Sequence, residues 1–253
     1  GVTDHRKICT TCEQKNTFCP GHFGHIVLAK PLFYIHFFDT LKKLLKCVCF
    51  KCSKLLIDKE SKEIQKILKK NISRQKKFDT IYKLCSKNKI KRCGKVTMIE
   101  GEEINNNGCG AKQPDKITKD NIGKIILEWK EKESTKEEEV VERVIETYLA
   151  NDVLKILTRI SDEDSEILGF PKNINRPENL ICSVFPVCPP SVRQSVTNDT
   201  GQRCHDDLTH KLCDIVKTNN ALKEKIEKNS SPEIIDRWTI LLQYHLSTFF
   251  DNK

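Results

Sequence analysis

The chain has 253 residues, 38% hydrophobic and 31% charged, with a formal net charge of +9, enough for one large domain or two small ones. No run of about 18 apolar residues occurs, which excludes a helical membrane span, and the first residues show neither the basic nor the apolar stretch of a secretory signal, so none is expected. Thirteen cysteines are an odd number and partly gathered in tight pairs. They argue against a secreted disulfide framework and for metal-bound thiolates in a reducing compartment. Charge is uneven: residues 42–95 carry 19 Lys/Arg against 4 Asp/Glu, and the remainder 25 against 31. One basic lobe on a slightly acidic body points to a polyanionic partner, with a lysine-rich solvated surface as the alternative.

The first informative stretch is Cys9-x2-Cys12-x6-Cys19-x2-His22. Three thiolates and one imidazole make a closed tetrahedral set suited to structural Zn²⁺, with no open position for a substrate. Pro20 and Gly21 fix the turn between the last two donors. The run Cys19-Pro-Gly-His-Phe-Gly-His-Ile-Val-Leu-Ala-Lys-Pro-Leu-Phe33 around it closely resembles the N-terminal clamp of the largest subunit of eukaryotic-type RNA polymerase II, and Gly1–His5 resembles the lead-in found in large-DNA-virus versions.

Next, His25–Lys30 is an apolar run with strand-forming residues, ending at Pro31, and predicts a buried strand. His25 is assigned a packed role rather than a metal-ligating one. Leu32, Phe33, Phe37, Leu41, Leu44 and Leu45 recur near helical spacing, predicting an amphipathic helix over 32–46. Cys49-x2-Cys52 is a ligand pair needing two more donors, and Cys85, Cys93 and Cys109 are the candidates, with Cys47 a competitor to the pair itself. The resemblance selects Cys85, in Lys83-Leu84-Cys85, and Cys109, in Gly108-Cys109-Gly110 before Gln113-Pro114. The set it implies is Cys49, Cys52, Cys85 and Cys109.

Between these donors, helices are predicted over Glu60–Lys70 and Lys77–Cys85, apolar on one face and lysine-rich on the other. Such short helices are marginal alone, and metal closure would supply folding energy. Asn105–Gly108 reads as a turn. Lys130–Arg143 reads as an exposed loop leading into a core-facing helix through Val140, Val144, Tyr148, Val153 and Ile160. Ser161 caps a short helix that Gly169 ends. Arg176-Pro177-Glu178 and Val184–Arg193 resemble a proline-rich passage of the family, an extended strap. Asp206-Asp-Leu-Thr-His-Lys-Leu-Cys-Asp-Ile-Val216 resembles a family helix with an acidic N-terminus. A final helix starts at Ser231-Pro232 and is expected to bury Ile234, Trp238, Leu241, Leu242, His245 and Phe249. Cys182, Cys188, Cys204 and Cys213 are read as small buried hydrophobes, and His245 as a satisfied core histidine.

The resemblance runs the length of the chain. It implies an α+β fold, mainly helical with short irregular strands, forming a multi-lobed, zinc-stabilised clamp. The divisions are 1–46, a first zinc site and entry to the clamp; 47–115, a basic zinc-bound head lobe; and 116–253, a helical core with the strap at 184–193. It implies two structural Zn²⁺ and a place in the nucleus, or in a viral factory or virion. The implied partners are DNA, the DNA–RNA hybrid, the second-largest and other polymerase subunits, and initiation and elongation factors. Lys69, Lys70, Arg74, Lys76, Lys77, Lys91 and Arg92 are the candidate nucleic-acid contacts. Polymerisation in such enzymes uses Mg²⁺ on an aspartate-rich loop absent from this sequence, so the segment by itself should be inactive. A free-standing zinc module for protein interaction is the competing reading. A zinc enzyme ranks last, because the four-donor sites are closed and no metalloprotease or deaminase pattern occurs.

Overall fold

Strand β1 (Gly24–Phe33) opens the regular structure and runs straight through Pro31. It has one neighbour, the strand over Ile181–Val187, in a two-stranded sheet, and proline is tolerated where an edge lacks ladder bonds. The computed structural model describes all residues except 60, 89, 100–101, 107, 121–122, 135–138, 198–202 and 252–253. Leu28 is buried, but Val27 and His25 are exposed, so the packed role predicted for His25 does not hold.

The helix predicted from Leu32 begins later. Leu32 and Phe33 are buried at the end of β1, a 3-10 turn spans Ile35–Phe37, and α1 covers Phe38–Leu45. Phe37 is exposed rather than core, whereas Leu41, Leu44 and Leu45 are buried. Helix α2 (Lys62–Lys69) starts at Ser61, whose hydroxyl accepts from the Ile64 amide; Glu60, the expected start, lies outside the described residues. Helix α3 (Arg74–Asn88) places Phe78, Ile81 and Cys85 on one buried face.

Strands β2 (Lys95–Ile99) and β3 (Glu102–Asn106) pair antiparallel, Lys95 opposite Asn106 and Ile99 opposite Glu102. Asn105 and Asn106 thus belong to a strand instead of the predicted turn, and Asn107 lies outside the described residues. Strands β4 (Lys116–Lys119), β5 (Ile125–Ser134) and β6 (Glu139–Tyr148) form a three-stranded antiparallel sheet in that order. The predicted loop and helix over 130–148 are therefore mostly strand, with 135–138 outside the described residues. The physical reason is local composition: Val140, Val141, Val144 and Ile145 are β-branched, stiff at χ1 and better housed on a pleated surface. β6 is an edge, with Val144 and Ile145 exposed among charged neighbours that discourage further pairing.

Helix α4 (Ala150–Thr158) buries Val153, Ile156 and Leu157. Helix α5 (Asp162–Ile167) is capped by Ser161, which accepts from the Asp164 amide at 3.1 Å, and Gly169 ends it at φ +89°. The proline-rich passage begins as β7 (Ile181–Val187), followed by the two-residue strands β8 (Val196–Thr197) and β9 (Arg203–Cys204). Helix α6 (Asp207–Glu227) is capped by the Asp206 carboxylate, which accepts from Leu208 at 2.7 Å, so these paired acids serve the helix start. Helix α7 (Pro232–Phe250) packs on α6. Helices and strands both contribute, so the α+β class holds, but β1, β5 and β6 are ten residues each, longer than the short strands predicted. No helix among the described residues is long and apolar enough to cross a membrane.

The chain divides into two compact units, Gly1–Leu32 with Cys182–Lys253, and Phe33–Ile181. In the second, Leu41, Leu44, Val48, Ile64, Ile81 and Leu127 form part of one core. In the first, Phe185 is fully buried between Phe249 and Phe250, with ring centroids 5.2 and 5.7 Å away. Leu212, Ile215 and Leu222 of α6 and Leu242 and Leu246 of α7 are buried there, while Ile234, Leu241, Cys204 and Cys213, predicted to be buried, are exposed. His245 is half-buried and its Nδ1 has no hydrogen-bond partner among the described residues, so it is not the satisfied core histidine expected.

Asn219 of α6 acts as a surrogate strand partner for β1. Its Oδ1 accepts from the Ala29 amide at 2.8 Å and its Nδ2 donates to the Val27 carbonyl at 3.0 Å. Asn219→Ala removes both bonds from a buried position and should cost about 1–3 kcal/mol. Urea unfolding of the metal-loaded protein checks this; an unchanged midpoint would remove Asn219 from the account.

Candidate metal centres and the basic surface

Two hairpins of the same construction frame the cysteines. At the first, the Cys9 amide donates to the Gln14 carbonyl (2.9 Å), the Glu13 amide donates to the Cys9 carbonyl (2.8 Å), and Ile8 bridges to Lys15. At the second, Cys49 donates to Lys54 (2.9 Å), Ser53 donates to Cys49 (2.9 Å), and Val48 bridges to Leu55. The residue after the second cysteine is left-handed in both, Glu13 at φ 57° and Ser53 at φ 61°. That conformation is costly for a side-chain-bearing residue and turns the chain tightly enough to bring the two sulfurs together.

A third hairpin of this kind is split in sequence. The Cys93 amide donates to the Ala111 carbonyl (3.0 Å), the Gly110 amide donates to the Cys93 carbonyl (3.0 Å), and Arg92 bridges to Lys112. Gly110 is left-handed at φ 71°, taking the place of Glu13 and Ser53. Cys93 and Cys109 are therefore a Cys-x2-Cys hairpin whose two spacer residues have become the segment 94–108, including β2 and β3.

The donors gather accordingly. Cys9, Cys12, Cys19 and His22 form one group, and Cys49, Cys52, Cys93 and Cys109 a second, with the donor atoms of each within 4.8 Å of one another. Cys19 Sγ lies 3.5 Å from His22 Nε2, Cys49 Sγ 3.6 Å from Cys109 Sγ, and Cys52 Sγ 3.6 Å from Cys93 Sγ. A tetrahedral ion with Zn–S bonds of about 2.3 Å needs S···S edges of about 3.8 Å, whereas a disulfide needs about 2.05 Å. All these cysteines are free, and both groups fit a closed Zn²⁺ site.

Cys85 is the correction. It is buried on α3, outside the second group, with its thiol hydrogen-bonded to that of Cys47, which also donates to the Lys43 carbonyl at 3.3 Å. That thiol contact and burial push the Cys47 pKa up, which keeps Cys47 protonated. Cys93 supplies the position instead. The signal was present in the sequence as a glycine after each cysteine, Cys93-Gly94 and Cys109-Gly110.

One thiol in each group is biased towards the thiolate, while burial and the neighbouring sulfurs hold Cys12, Cys52 and Cys93 up. The backbone amides of Cys12 and Thr11 donate towards Cys9 and bring its thiol down to about 6. Burial opposes ionisation of Cys49, but the amides of Cys52 and Lys51 outweigh it and lower that thiol to about 7. Gln113 locks the second group from behind: Nε2 donates to Cys49 Sγ at 3.2 Å and to the Ala111 carbonyl at 2.9 Å, while Oε1 accepts from the Phe50 amide at 3.2 Å. Such outer donors orient a metal ligand and tune its charge.

Of the seven predicted nucleic-acid contacts, Lys69 and Lys70 lie at the end of α2, Arg74, Lys76 and Lys77 at the start of α3, and Lys91 and Arg92 just before Cys93. All are exposed except Lys77, which is half-buried. Five thus share the α2–α3 corner and two sit at the split hairpin.

A family model described as RNA polymerase Rpb1, domain 1, matches residues 1–253. The chain belongs to this family. DNA-directed RNA polymerase II subunit RPB1 of Euplotoides octocarinatus is 41% identical to this Rpb1 domain over 254 residues, covering 100% of the chain and 50% of that protein. The chain therefore spans about half the length of the curated relative it matches. Both thiol-rich groups of the Rpb1 domain could hold a metal ion.

Proposed function

We propose that the chain is the N-terminal clamp region of an RNA polymerase largest subunit, working in the nucleus as part of a DNA-directed RNA polymerase. In this reading residues 1–46 enter the clamp, 47–115 form its basic head and 116–253 its core. The clamp closes over template DNA and the DNA–RNA hybrid, docked on the second-largest and other subunits and accessible to initiation and elongation factors. Nucleotidyl transfer and its Mg²⁺ belong to residues elsewhere in the parent subunit. The observation that carries the reading is the match to Rpb1 domain 1 along every residue, supported by two four-donor groups suited to structural Zn²⁺.

When bound, each Zn²⁺ supplies a rigid four-way crosslink and no reactive water. The second group would fix the hairpins at both ends of the α2–α3 segment and so hold its lysines in place. Their work is phosphate contact, which positions a polyanion without reading its sequence.

The test is an electrophoretic shift of a short DNA–RNA hybrid by the metal-loaded protein at low and raised salt. Lys69→Glu, Arg74→Glu and Lys76→Glu combined should weaken binding at least tenfold on any sequence and flatten the salt dependence by roughly one unit of slope per lost phosphate contact. Absence of binding at low salt would favour the free-standing protein-interaction module instead.

A further inference from the structure

Beside the second thiol group, and wholly within the Phe33–Ile181 unit, is a cavity of about 420 Å³. Its floor is aliphatic: the half-buried Leu56 of the Cys49 hairpin and Ile90, backed by the buried Leu45 of α1 and Ile117 of β4. Its rim is cationic, with Lys46, Lys91 and Lys130 against the single carboxylate of Asp115. Asp115 is already engaged, its Oδ2 accepting from the Lys130 backbone amide at 2.9 Å. Lys46 Nζ rests 5.9 Å from the Tyr82 ring centroid, and none of the three lysines has a carboxylate partner among the described residues. An apolar floor within reach of three lysines, none paired with a carboxylate among the described residues, suits a ligand that is greasy at one point and negative around it.

We propose that this cavity docks an acidic peptide segment of a partner protein, taking one large aliphatic side chain onto the floor and flanking carboxylates onto Lys46, Lys91 and Lys130. A nucleic acid suits it less well. Phe50 is the one aromatic ring in the lining, so there is no platform on which successive bases could stack. The one side-chain amide, Gln113, has both its donors committed to Cys49 and Ala111 and accepts from Phe50, so it has no amide donor left for a base edge. Gln113 also ties the cavity to the thiol group: its buried side chain is at once cavity wall and hydrogen-bond donor to Cys49 Sγ. The docking surface is consequently formed only when that group is closed, and the proposal stands apart from the phosphate-binding role of the α2–α3 corner.

The experiment uses the full 253-residue chain loaded with Zn²⁺ and a fluorescent pentapeptide, Asp-Asp-Leu-Asp-Asp, with methyl NMR on Leu45 and Ile117. The peptide should bind and shift both methyl signals, and a central glycine in place of leucine should weaken it roughly tenfold or more. Lys91→Glu with Lys130→Glu should abolish binding while the metal content stays the same, and chelation of the metal should abolish it in the unmodified chain. Equal binding of the leucine and glycine peptides, or shifts confined to other residues, would overturn the proposal. So would a ten-residue oligothymidylate that shifts the same methyls more strongly than the peptide.

Discussion

Cys93→Ser is expected to leave the protein with one bound Zn²⁺ instead of two, whereas Cys85→Ser should keep both. A structural zinc site contributes on the order of 10 kcal/mol to folding, comparable with the whole stability of a domain. Removing one of four donors should therefore loosen the hairpins at Cys49 and Cys93 together. The consequence reaches α2 and α3, which are too short to persist alone and lie in the segment between those hairpins. Cys85→Ser puts a hydroxyl beside Cys47 in an apolar setting and should cost only about 1–3 kcal/mol. Native mass spectrometry counts the ions and segment-resolved amide exchange locates the loosening. Two ions retained in Cys93→Ser would refute the ligand set.

Gly108→Ala should weaken the same site without touching a donor. A methyl at Gly108 would overlap the carbonyl of Cys93 and the Cα of Gly94, and neither can rotate away because both are backbone. The split hairpin must open, separating Cys93 from Cys109, at a cost of about 3 kcal/mol or more. A loss of metal affinity of roughly 100-fold follows, measurable by competition with a chelator. Gly24→Ala is the matched control: its added methyl meets only the Val187 Cβ at 3.8 Å, an ordinary contact, and affinity should not change. Equal effects of the two substitutions would show that the Gly108 contact does not set the cage.

The legible parts of the chain were those where spacing alone fixes geometry. Cys9, Cys12, Cys19 and His22 are close in sequence, and the structure gathers all four. Ser161 and Asp206 were readable as helix starts, since a capping side chain acts on amides two or three residues away. The second group was harder, because its last two donors are separated by β2 and β3 and a helix places Cys85 at a deceptive position. Family likeness pointed to Cys85. Hydrogen-bond geometry around Cys93, Ala111 and Gly110 decides otherwise, and the glycine after each cysteine was the clue.

The stretch from Val140 to Tyr148 failed for a different reason. Valines and isoleucines at 140, 141, 144 and 145 satisfy a helical period, yet their β-branching and the ten-residue partner β5 favour a strand. Periodicity was the weaker signal there, because Val144 and Ile145 lie exposed on an edge strand and have no core to point at. Ile234 and Leu241 misled similarly: an apolar stripe shows which face could be covered, not that it is.

The split hairpin has a practical corollary. Backbone bonds join Cys93 to Gly110 and Ala111 at the base of the hairpin, so the excursion from Gly94 to Gly108 leaves and re-enters the cage at one point. Lengthening such an excursion costs only about 0.6 kcal/mol per doubling. A fluorescent tag or affinity epitope spliced between β2 and β3 would ride on the molecule like a flag on a clasped ring, reporting its position while the clasp stays shut.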